Sequence, residues 1–212
     1  AKGEMGGVPS GTEQYYSFDY GNVHVVSLDS QLTNRDKAQR ATMRDWLVDD
    51  LSANESDWTI VIFHHPPYSK GSNHDSDREQ NEIDMRVTFA PVFEGYGVDV
   101  IYSGHSHSYE RSWYLRGHYG MSDSFDVTRD ALLDPDGNPA LGQGSEPYQQ
   151  GGSQDRAVYT VAGNAGKADK EEPCPEGQLM GCTLANWLQH PAHRTFSESS
   201  PGYKSNGIAL KG

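Results

Sequence analysis

Apolar residues are spaced along this chain in two distinct periods. Between Gln14 and Asp29, in QYYSFDYGNVHVVSLD, Tyr, Phe and Val alternate with small or polar residues on either side of Gly21-Asn22. That alternation predicts two strands joined by a hairpin turn, with His24 inside the second strand as an ordinary core residue. From about Asn34 to Ala53 the period changes to that of a helix. Met43, Leu47 and Leu51 recur every fourth residue, with Asn34 able to cap and Asp36 in the first turn. Trp58 to Phe63, WTIVIF, is a short β-branched run of the kind buried on both sides in a parallel sheet. A polar loop from His64 to about Asn81 follows, then a second helix over Ile83–Tyr96 with Met85, Phe89 and Phe93 on one face, then a second buried strand, Val98 to Ser103. Helix, strand, helix, strand is the order of an α/β domain.

Beyond this point the pattern is thinner. Residues 109–119 and Arg156–Gly163 read as strands, and the Gly-, Asp- and Ser-rich stretch 120–155 between them as a surface excursion. The tail suggests a short helix near Leu184–Leu188 and a last strand near Gly207–Leu210. Cys174 and Cys182 stand eight apart in CPEGQLMGC, where a local disulfide and two free thiols are both open readings. A bridge would place the chain in an oxidising compartment.

Charge narrows the chemistry. Asp and Glu number 30 against 17 Lys and Arg, a formal net charge of −13 over 212 residues. A general nucleic-acid binder needs a cationic face, and the sequence shows no obvious one. Mean hydropathy is −0.77, and no run approaches the ~18 apolar residues of a membrane span. A phosphate-bearing substrate would need local positive charge, which metal ions could supply.

The nine histidines supply candidate ligands, and their placement is informative. His64 and His65 follow WTIVIF directly, and His105 and His107 follow VDVIYS through Gly104. Both pairs thus sit at the carboxyl ends of predicted strands, where α/β sheets bind ligands. An extended chain would point His105 and His107 to the same side, and a glycine at 104 would let the backbone bend towards a site. Neutral imidazoles are ligands for borderline divalent metals. Solvated loop histidines are the ordinary alternative for either pair alone, but packing does not readily explain both.

Four segments together resemble the purple acid phosphatase branch of the calcineurin-like metallophosphoesterases. They are YYSFDYGNVHVVSLDS (15–30), VIFHHPPYSKGSNH (61–74), YGVDVIYSGHSHSYERS (96–112) and VYTVAG (158–163). The resemblance covers most of residues 13–212. It implies the C-terminal half of an α/β, αββα sandwich with mixed sheets flanked by helices, with 1–212 as one portion of a single catalytic domain and 120–155 as an insertion.

It also implies roles. His64 matches the histidine of the H-x-P motif and His105 the first of GHxH, both expected on a divalent ion. His107 matches the second of GHxH, expected on an iron. His74, ten residues after His64, is expected to contact the substrate phosphate and protonate the leaving group. His65 would be a neighbour.

The family's remaining ligands (two Asp, a Tyr and an Asn) have no counterparts here. Asp75 and Asp77 are the least improbable substitutes, and Tyr109, Glu110 and Arg111 could orient ligands through an Arg–Glu pair. The implied activity is hydrolysis of phosphate monoesters by a hydroxide activated between two metal ions, Fe with Zn, Mn or Fe. The implied partners are a small phosphate ester and the missing N-terminal half, in a secreted or periplasmic setting, with the isolated chain inactive. A degenerate metal- or partner-binding module and a mononuclear three-His zinc hydrolase are the alternatives.

Overall fold

The computed structural model describes residues 2–70, 74–133, 155–163 and 192. Six strands form one mixed sheet: β1 (Tyr16–Tyr20), β2 (Val23–Ser27), β3 (Trp58–Ile62), β4 (Val100–Ser103), β5 (Tyr109–Leu115) and β6 (Ala157–Ala162), in the order β1-β2-β3-β4-β6-β5. The four central strands β2, β3, β4 and β6 run parallel, and β1 and β5 pair antiparallel at the edges. The hairpin and the strand over 156–163 therefore lie where the hydrophobic pattern put them; β3 and β4 also lie at their expected places, but they are buried on one face only, with Trp58, Ile62 and Tyr102 exposed on the other.

Two crossovers connect the central strands. The first contains α1 (Leu32–Arg35) and α2 (Lys37–Ala53). Asp36, not Asn34, caps the long helix: its carboxylate accepts the N–H groups of Ala38 and Gln39 at 2.9 and 3.1 Å. Asn34 is taken up in the preceding short helix, which ends where Asp36 turns extended at φ −142°. The second crossover runs from α3 (Gln80–Asp84) through a π-helical turn (Met85–Phe89) into α4 (Ala90–Gly95). Pro91 has no N–H to give the carbonyl of Val87 and its ring crowds that carbonyl, so an unbroken α-helix over this stretch is disfavoured and the chain widens just before the proline.

Successive right-handed crossovers in one direction place both helices on one face of the sheet. On that face Val26, Val61, Ile101 and Tyr159 meet Met43 and Leu47 of α2 and Met85, Phe89 and Phe93 of the second crossover, all buried. The strand register puts Tyr16, Tyr20, Trp58, Ile62 and Tyr102 on the opposite face, where each is exposed. Part of the excursion after β5 also folds: a 3₁₀ turn (Ser122–Ser124) and α5 (Val127–Asp130) bring Ala131 back to bridge Leu115. The remainder, 134–154, lies outside the described residues, as do Cys174 and Cys182 and the expected elements at 184–188 and 207–210. No helix among the described residues is long and apolar enough to cross a membrane.

His24 is indeed held in the core. Its Nδ1 meets Asp19 at 2.6 Å and its Nε2 meets Asp50 at 2.9 Å, while Asp50 also accepts from Ser17 and from the N–H of Val8. Burial disfavours the imidazolium, but the bonds to Asp50 and Asp19 outweigh it and raise the pKa.

Glu94 on α4 is buried too, and accepts from the N–H of Gly117 (2.7 Å) and the hydroxyls of Tyr119 (2.7 Å) and Tyr159 (2.9 Å). Burial nevertheless dominates and pushes its carboxyl up to about 7. A carboxyl raised on folding stabilises the fold in its protonated form. The contribution is complete below its unfolded value near 4.5 and is lost as pH rises through about 7. Over that window thermal stability is expected to fall by about 3 kcal/mol on this account. Glu94→Gln should flatten that part of a melting-temperature profile; an unchanged slope would assign the pH dependence to other groups.

Candidate metal centre

The carboxyl ends of β3 and β4 open into loops that bring five titrating side chains together. Chain direction accounts for the first of them. His64 leaves β3 with its backbone carbonyl accepting the N–H of Gly104 at 3.0 Å, so the strand ends stay paired one step beyond the sheet. His64 Nε2 then lies 3.1 Å from Nδ1 of His105.

His105 occupies the left-handed region at φ 64°, the only residue other than glycine to do so among those described. That conformation costs a β-substituted residue about 1 kcal/mol or more and is typical of functional sites. Gly104 was the expected bend, but the strained backbone belongs to the histidine itself. The chain from 105 to 108 is a series of bends, so the reach of His105 and His107 does not come from strand alternation. The glycine with a steric reason to be here is Gly163, at the end of β6, where a Cβ would fall 1.9 Å from the Ser106 carbonyl oxygen.

Glu79 completes the cluster and belongs to none of the sequence motifs that point to the site. One of its oxygens meets His74 Nδ1 at 2.8 Å and the other meets His105 Nε2 at 2.9 Å. Burial opposes its ionisation, but the bonds from His105 and His74 outweigh this and hold its carboxyl low. The His74 and His105 rings lie with centroids 3.7 Å apart, tilted by 39°, and His107 presents an edge to His74 at 6.4 Å. His64, His105 and His74 are thus drawn into one cluster, with His107 at its margin. The only sequence signal for Glu79 was its place five residues after His74 and immediately before α3.

The carboxylates considered as substitutes are engaged elsewhere. Lys70 Nζ binds Asp75 at 2.7 Å and Asp77 at 2.9 Å, and Asp77 also accepts the N–H of Ser122 at 3.0 Å. This fixes the His74 loop to the 3₁₀ turn of the excursion. Glu110 points inward to the hydroxyls of Ser69 and Ser108 at 2.7 and 2.9 Å, while strand alternation sends Arg111 to the other face.

Arg86, on the π-helical turn and 1% exposed, donates through Nη1 to the carbonyls of Pro67 (2.9 Å) and Ser76 (2.7 Å). It therefore ties the loop that begins at His64 to the loop that carries His74.

The donors fit a metal ion. Ring nitrogens of His64, His65 and His105 lie within 4.8 Å of one another, and so do ligand atoms of His74, Glu79 and His105. Imidazoles with one carboxylate are the donor set of borderline divalent ions. With Glu79 accepting the Nε2 proton of His105, the lone pair at Nδ1 is the one left for a ligand bond, a carboxylate–imidazole arrangement that orients metal ligands. Partial desolvation first, and then the neighbouring His105, His74 and His107 rings, lower the pKa of His64. His65, buried beside them, is pushed down to about 4 by burial first and by His105 and His64 next.

The family model for calcineurin-like phosphoesterases matches residues 3–109, just over half of the chain. Purple acid phosphatase 18 of Arabidopsis thaliana is 32% identical over 117 residues, 54% of this chain and 25% of that protein. Purple acid phosphatase 15 of the same plant is 25% identical over 205 residues, 92% of this chain and 34% of that protein. The structure of a purple acid phosphatase from yellow lupin seeds is 17% identical, covers 71% of this chain and 23% of its own, and superposes with a TM-score of 0.42. This chain thus spans a quarter to a third of the length of the curated relatives named here.

Proposed function

Since the chain belongs to the calcineurin-like phosphoesterase family, we propose that it forms one side of a binuclear centre hydrolysing phosphate monoesters. The remaining ligands would lie on polypeptide outside these 212 residues. The observation that carries the reading is the meeting of His64, His105, Glu79 and His74 at the ends of two adjacent parallel strands. In this reading His64 and His105 hold a divalent ion, and His107 contributes to a second site occupied by iron. Among the described residues the cluster has Glu79 as its one carboxylate, fewer than are needed to balance and bridge two cations.

When bound, the ions supply Lewis acidity towards a phosphoryl oxygen and make a nucleophile of water near neutral pH. The chain's own groups orient and protonate. Glu79 holds the Nε2–H of His105 and so presents its Nδ1 lone pair. The same carboxylate takes the Nδ1–H of His74; as imidazolium the ring would carry a second proton at Nε2, which would pass to the departing alkoxide and leave the neutral imidazole. Lys70, Asp77 and Ser122 hold the loop on which His74 depends. A small phosphate ester in an extracellular or periplasmic setting is the substrate class this arrangement suits.

Metal counting and a p-nitrophenyl phosphate assay on the purified chain test the proposal. Zinc or iron retained after dialysis, with little or no turnover, is the expected result. A chain that retains no metal refutes the reading. Rapid turnover by the 212 residues alone refutes the part that places the remaining ligands elsewhere.

A further inference from the structure

The hydroxyl of Ser30 lies just after β2, 1% exposed, and sits among three nitrogen atoms. The backbone N–H groups of His64 and His65 donate to it at 3.2 and 3.0 Å, and Nδ1 of His65 lies 2.8 Å away. A hydroxyl has two acceptor lone pairs and one proton. Backbone amides can only donate, so these two occupy both lone pairs. The one proton of Ser30 therefore points at Nδ1 of His65, which must accept it.

In the neutral ring the remaining proton is then at Nε2, and Nε2 has no hydrogen-bond partner among the described residues. The ring carrying it is 6% exposed, with its centroid 4.9 Å from that of His64 and 4.6 Å from that of His105.

His65 thus differs from its neighbours, although a ring nitrogen of all three falls within 4.8 Å. The Nδ1 lone pair is spent on Ser30 and Nε2 is protonated, so the ring offers the centre a donor where a metal would need an acceptor. An N–H without a protein partner, on a ring that is otherwise buried and beside imidazoles that would carry a cation, is complementary to an anion's oxygen. Such a bond is stronger than one between neutral groups.

We propose that His65 is a substrate-binding residue whose Nε2–H donates to a non-bridging oxygen of the phosphoryl group, and that Ser30 is the positioning residue that fixes this tautomer. The inference rests on the phosphoesterase reading and adds to it a contact with the transferred group.

The test uses the full chain with ¹⁵N-labelled histidine, loaded with ¹¹³Cd²⁺ and titrated with inorganic phosphate. Expected are ¹¹³Cd–¹⁵N couplings at His64 and His105 and none at His65. The His65 spectrum should be of the Nε2–H tautomer, with that resonance shifting as phosphate binds. A cadmium coupling at His65, or a His65 resonance indifferent to phosphate, overturns the proposal.

Variants give a second measure. His65→Phe should weaken phosphate binding to the loaded chain by about 10-fold while leaving Cd²⁺ affinity within about 3-fold. His65→Gln, which keeps a side-chain N–H, should recover part of the loss. Ser30→Ala should mix the tautomers. If Cd²⁺ binds and His65→Phe holds phosphate as tightly as the unsubstituted chain, this inference alone fails. If the unsubstituted chain binds no Cd²⁺, the phosphoesterase reading fails and this inference with it.

Discussion

Replacing His105 by alanine is expected to lower the affinity of the chain for Zn²⁺ or Co²⁺ by at least ~100-fold, the largest loss from any single substitution in the cluster. Removing a group that merely orients a ligand typically costs ~10–100-fold, and losing the ligand itself costs more. His105 is the only residue common to both sets of clustered donors, so its loss breaks each of them. It also leaves Glu79 with one imidazole in place of two. Calorimetric titration of the metal-stripped chain reads the effect directly. His74→Ala removes a donor from one set only and should cost less. Equal losses in the two variants would mean that the shared position of His105 has no energetic consequence.

The second large effect concerns folding. Arg86→Met should destabilise the chain by about 3 kcal/mol. The guanidinium satisfies the carbonyls of Pro67 and Ser76, both on buried residues, and each buried group left without its partner costs ~1–3 kcal/mol. Relief of burying the cation offsets part of this, which keeps the expectation below the sum. Arg86→Lys should recover part of the loss, because both carbonyls accept from the single nitrogen Nη1 and an ammonium also has protons for two acceptors. Urea unfolding midpoints check both variants. A Met variant as stable as the unsubstituted chain would show that the two loops are held together by other means.

Nothing in the local sequence marks Arg86 as buried. An arginine between Met85 and Val87 on an amphipathic helix reads as a solvent-facing charge. Its burial depends on the π-helical turn, and that turn is a response to Pro91 five residues later, so no period of hydrophobicity encodes it. His64 and His105 were legible for the opposite reason. Each follows a β-branched run directly, and parallel strands deliver whatever follows them to one rim. The hairpin and the four central strands were legible because period-2 alternation and unbroken apolar runs depend on local burial alone. Glu79, Ser30 and the left-handed backbone of His105 depend on pairings between residues 26 to 35 positions apart or on one torsion angle. Neither leaves a trace in local pattern. The cap at Asp36 was misread by two residues because Asn34 and Asp36 are both good capping side chains, and a four-residue helix used the first.

The face of the sheet turned away from the helices has a consequence for how these molecules behave at high concentration. Tyr16, Tyr20, Trp58, Ile62 and Tyr102 leave it open to water, and such patches attract one another at short range. A formal charge of −13 repels over longer distances. Repulsion reaches ~30 Å in 0.01 M salt but only ~10 Å at 0.1 M and ~3 Å at 1 M. Raising ionic strength therefore removes the long-range barrier first and leaves the sticky surfaces free to meet, so the chain is colloidally best behaved in dilute buffer.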